Sequence, residues 1–102
     1  MNIKSRISAS GALLARLKIL LLENRGHVYL PGIDNMLTQL TVIETDEVQR
    51  IERARATFKG MLGGAGTLGD FMIWTTNQTT TDTLNAELNQ IISNLWGLLE
   101  CE

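Results

Sequence analysis

Residues 58–74 read FKGMLGGAGTLGDFMIW, a charged helical segment that runs into glycines and then into a short apolar run. Four of the chain's nine glycines, Gly63, Gly64, Gly66 and Gly69, fall within seven residues here. Without a Cβ the backbone can take positive φ or approach another segment closely. Gly63 and Gly64 after Met61-Leu62 suit a helix exit with a left-handed residue, and Gly66 allows a second reversal. Beyond the turn, Phe71-Met72-Ile73-Trp74 is too short for periodicity to separate a helical turn from a strand, and the reading adopted is a buried extended segment. Asp70 stands at the junction, where its carboxylate can accept from the free N–H groups of the turn.

Outward from this turn, the chain reads as helices. Before it, Thr45 can cap a helix with Asp46 and Glu47 in its first turn, and Val48, Ile51, Ala54, Phe58 and Met61 or Leu62 form its apolar side. The opposite side carries Arg50, Glu52, Arg53, Arg55 and Lys59, a mixed set that reads as a solvated face. Further back, Ile33, Met36, Leu37, Leu40 and Ile43 repeat at three and four residues, and Pro31 can open that helix. Leu13, Leu14, Leu17, Leu20 and Leu21 mark an earlier helix closed by Gly26. On the other side of the turn, the threonine-rich stretch 75–83 suits a surface loop, with Asp82 or Thr83 as the next cap. Leu84, Leu88, Ile91, Ile92, Leu95, Leu98 and Leu99 then hold the broadest apolar stripe in the chain.

The fold expected is mainly α, a small bundle of about four helices near 10–25, 32–43, 45–62 and 83–99, with a glycine-rich turn and one short extended segment at 70–74. Residues 1–9 are expected as a flexible lead-in and 10–102 as a single helical domain. The first and last helices should pack together, and since about 100 residues give limited core, a homodimer would cover apolar surface that remains.

Composition narrows the function classes. A net charge of −2 offers no electrostatic footprint for nucleic acid, whose affinity comes largely from phosphate contacts. Lys4, Arg6, Arg16 and Lys18 precede the first acid, Glu23, but Arg16 and Lys18 interrupt any signal-peptide core, so a solvated helix face is the reading preferred. No apolar run reaches the ~18 residues of a membrane span. The only cysteine, Cys101, cannot form an internal disulfide, which fits a cytoplasmic setting.

No catalytic constellation emerges. His27 is the only histidine and has no partner motif, and no ligand spacing supports a metal. No cofactor is expected: Gly64-Ala65-Gly66-Thr67-Leu68-Gly69 matches GxGxxG, but a helix precedes it where a dinucleotide site needs a strand. Two functional readings stand ahead of a third, a small enzyme of unrecognised type. The first is a non-catalytic protein-interaction module with an unknown protein partner, using Trp74 or Trp96 as an apolar anchor. The alternative is a small-molecule or anion binder at the turn, using Gly63, Gly64, Gly66, Thr67 and Asp70.

The motif Gly63-Gly64-Ala65-Gly66-Thr67-Leu68-Gly69-Asp70, followed by Phe71-Met72-Ile73, resembles the GGxGSxND-like pattern of a family of small uncharacterised bacterial proteins. Thr67 stands where that pattern has serine, and Gly69 where it has asparagine. The resemblance covers about residues 10–100 and implies a bacterial origin, the architecture above and an accessory role of the sort encoded on mobile elements. It implies no activity.

Overall fold

A computed structural model describes residues 2–62 and 68–100. Among the described residues there are four α-helices: α1 (Ile3–Glu23), α2 (Leu30–Thr41), α3 (Glu47–Leu62) and α4 (Gln78–Glu100), with 3₁₀ turns at His27–Tyr29 and Leu68–Asp70. They form a small helical bundle in which α1 packs on α4 and α2 on α3, with α1 also touching α2 and α3.

The core is the sum of the apolar stripes. Leu14, Leu17, Leu20 and Leu21 of α1 meet Ile33, Met36 and Leu40 of α2, Ile51, Ala54 and Phe58 of α3, and Leu88, Ile91, Leu95 and Leu99 of α4. Phe58 is fully buried and lies 6.2 Å, centroid to centroid, from Trp96. Trp96 is therefore an edge of the core. Val48 and Ile43, expected on buried faces, are exposed: Val48 is in the first turn of α3, and Ile43 lies beyond the end of α2, where Val42 is already extended.

The helix starts differ from expectation, and at three of the four a polar side chain fixes the observed start. Asn2 Oδ1 accepts from the Ser5 N–H at 2.8 Å, so α1 begins at Ile3 and the expected lead-in is helical from there. Arg6 is buried and its Nε donates to the Leu98 carbonyl at 2.8 Å, placing a cation in the last turn of α4, where the helix dipole favours it. Asp46 rather than Thr45 caps α3, accepting from the Gln49 N–H at 2.9 Å. Asn77 caps α4 through the Thr80 N–H at 3.0 Å, which turns most of the expected threonine-rich loop into helix. Leu30 is helical ahead of Pro31, its N–H donating to the His27 carbonyl, so α2 starts two residues before the expected boundary.

The basic residues of the first segment serve tertiary structure as well as solvation. Arg16 pairs with Glu87 of α4 through bonds of 2.6 and 2.9 Å, and Lys18 pairs with Asp34 of α2 at 2.7 Å. The hydrogen bond from Arg16 lowers the Glu87 pKa and raises that of Arg16, while partial desolvation opposes both shifts.

The exit of α1 shapes the neighbouring surface. The Gly26 N–H donates to the Leu21 carbonyl at 2.7 Å, and Arg25, at φ 66°, is the left-handed residue of the cap. The sequence suggests glycine for that left-handed place, but Gly26 has φ −91°. Gly26 is needed for space instead, since a Cβ there would sit 3.0 Å from the Leu21 Cβ.

Candidate interaction site

Residues 71–75 form no helix, and α4 holds their main chain through two side chains one helical turn apart. Asn85 Oδ1 accepts from the Ile73 N–H at 2.8 Å, and Asn85 Nδ2 donates to the Ile73 carbonyl at 2.9 Å. Thr81 Oγ1 accepts from the Thr75 N–H at 3.0 Å. One side-chain amide can reach the N–H and C=O of a single residue only when both point the same way, which is the property of extended backbone. The Phe71 N–H is also used, donating to the Leu68 carbonyl at 3.1 Å. Every second N–H, at 71, 73 and 75, is thus paired inside the protein.

Side-chain exposure follows the same period of two. Ile73 is fully buried, whereas Met72 is 55% exposed and Trp74 is 74% exposed. The run is extended as expected, but only Ile73 is fully buried. Phe71 is half-buried and makes an edge-on ring contact with Tyr29 at 5.4 Å, which ties the start of the segment to the 3₁₀ turn after α1.

Between this segment and the end of α1 runs an open groove of about 470 Å³. Glu23, Asn24 and Arg25 form one wall, and Phe71, Met72, Trp74, Thr75 and Thr76 the other. The groove therefore combines two exposed apolar side chains with one cation and one carboxylate at its far wall. Val28, also exposed, precedes the Tyr29 that packs on Phe71.

Of the residues singled out in the sequence, Trp74 lies on this surface and Trp96 does not. Asp70 is exposed and ends the 3₁₀ turn beside Phe71. Gly63, Gly64, Gly66 and Thr67 lie outside the described residues. Gly69 is described: a Cβ there would stand 2.8 Å from the Leu62 carbonyl oxygen, so this glycine serves close backbone packing. Among the described residues, no group of three or more His, Cys, Asp or Glu lies together, and no helix is long and apolar enough to cross a membrane.

Sequence reasoning sets Asn85 among the polar residues opposite the α4 stripe and Thr81 in a surface loop, whereas both side chains face the 71–75 main chain. Their signal was available: spaced by four, they continue the stripe of Leu88 and Ile92 toward the start of α4, as polar residues on a face turned inward. Comparison with protein-family models, with curated proteins and with solved structures finds no match.

Proposed function

We propose that this chain is a non-catalytic protein-interaction module whose binding surface is the outward side of residues 71–76 together with the end of α1. The observation that supports this is the exposure of Met72 and Trp74 on a segment whose inward side is hydrogen-bonded to α4. A small folded chain rarely presents a tryptophan and a methionine together to water unless something covers them, and tryptophan is enriched among the residues that anchor interfaces. The surface is also well supported. Ile73 is fully buried and Phe71 is packed on Tyr29, so the two outward side chains are presented by an ordered backbone.

The test is photo-crosslinking in the cells that carry the protein, with a benzophenone amino acid at position 72 and, as control, at the exposed Ala56 of α3. The expected result is a protein adduct from position 72 that is absent from position 56, identified by mass spectrometry as this chain or another. Loss of that adduct on Trp74→Ser, with the unfolding midpoint unchanged, would support the surface assignment. Failure of position 72 to crosslink to any protein refutes it.

A further inference from the structure

The main chain of residues 73–75 is hydrogen-bonded to α4 along one edge, and the Phe71 N–H closes the preceding 3₁₀ turn. The N–H groups of 71, 73 and 75 are used within the protein, as is the carbonyl of Ile73. Among the described residues, the N–H and C=O groups of Met72 and Trp74 make no hydrogen bond. In extended backbone these groups point away from the paired edge, in the plane of the strand, and such a row is a template for a further strand. Thr81 and Asn85 act as the neighbouring strand on one edge, and among the described residues the other edge has no hydrogen-bond partner and borders the open groove.

Building on the interaction surface proposed above, we propose that this edge pairs with the same edge of a second copy, as an antiparallel two-strand junction centred on Ile73. The register is self-complementary. With Ile73 opposite Ile73 of the second copy, Met72 of each copy stands opposite Trp74 of the other. Each such pair exchanges two N–H···O=C bonds, which satisfies the vacant groups of both copies. The side chains of each pair fall on one face, so the exposed methionine of one copy meets the exposed tryptophan of the other, a favourable sulfur–aromatic combination.

The sequence lacks the devices that normally keep an edge unpaired. Residues 71–76 are Phe-Met-Ile-Trp-Thr-Thr, with no lysine, no proline and no charge of either sign. The nearest charge, Asp70, would lie opposite residue 76 of the second copy rather than opposite itself, so the pairing opposes no like charges. A partner of different sequence would need its own reason to match this register, whereas a second copy matches it by construction. The junction is short, covering less than the ~800 Å² per partner of a typical stable interface, so association is expected between ~10 μM and ~1 mM.

Sedimentation equilibrium of the purified chain from ~10 μM to ~1 mM, a range set to bracket that affinity, tests this. The expected result is a concentration-dependent dimer that persists in Met72→Leu and weakens at least ~10-fold in Met72→Pro, because proline removes one edge N–H. Hydrogen exchange provides a readout without substitution: the Met72 and Trp74 amides should slow as concentration rises, while the Ile73 amide is protected throughout. A chain that stays monomeric to the top of that range, a dimer unaffected by Met72→Pro, or Met72 and Trp74 exchange rates independent of concentration would each overturn the pairing. A monomer that still crosslinks from position 72 to a different protein overturns the self-pairing alone and leaves the interaction surface standing.

Discussion

Replacing Asn85 by alanine should release the 71–75 segment from α4. The substitution removes two hydrogen bonds, of 2.8 and 2.9 Å, and leaves the N–H and C=O of Ile73 without protein partners in a part-buried setting. Two such bonds at about 1 kcal/mol each, plus incomplete rehydration of the stranded groups, cost about 2–3.5 kcal/mol. Alanine is the better helix former, which offsets about 0.5 kcal/mol. The net loss is therefore about 1.5–3 kcal/mol, equivalent to a fall in Tm of roughly 6–20 °C for a domain of this size. Urea unfolding followed by far-UV circular dichroism measures the free energy, and exchange of the Ile73 amide reports the local event. The exposed Asn89→Ala on the same helix supplies the control for propensity, and it should be neutral or slightly stabilising. If Asn85→Ala lies within about 0.5 kcal/mol of wild type, the range of ordinary surface changes, the bidentate clamp does not hold the segment. Unchanged exchange at Ile73 would lead to the same conclusion.

Two further outcomes follow from the exit of α1 and from its ion pair with α4. Arg25→Gly should stabilise the fold by up to about 1 kcal/mol, since glycine adopts the left-handed conformation without the cost that a side chain carries. Gly26→Ala, by contrast, drives a Cβ against Leu21 and should destabilise by about 1–3 kcal/mol; equilibrium unfolding of the two variants must move in opposite directions. The folded-state pKa of Glu87 is depressed by its hydrogen bond to Arg16, so its contribution is present above the ordinary glutamate range and is lost as pH falls through the lowered folded value. The Tm difference between wild type and Glu87→Gln should accordingly be small, positive near neutrality, screened by salt, and absent at strongly acidic pH.

The four helices were legible because their evidence is local. Apolar residues at three- and four-residue spacing identify the faces that became the core: of the stripe from Leu84 to Leu99, Leu88, Ile91, Leu95 and Leu99 are buried and Leu84 and Ile92 partly so, while Leu98 lies outside the core. Helix starts were less legible. Asp46 and Asn77 compete with neighbouring threonines and acids for the capping role, and the winner depends on where the preceding chain arrives. Thr79–Thr83 look unfavourable for helix by propensity, yet Thr81 is buried and hydrogen-bonded to Thr75, a stabilisation that exists only once the segment at 71–75 lies beside it.

What the sequence by itself determined, then, is the number of helices, the faces they bury and the placing of one extended run after the glycines. Which of the two tryptophans faces water was decided by tertiary structure. Trp96 meets Phe58 across a helix pair, while Trp74 follows a residue whose main chain is claimed by Asn85, twelve positions away. The physical reason lies in the geometry of extended chain. Its period of two fixes that Ile73 and Trp74 point to opposite sides, but only the long-range contact with α4 selects which side is inside.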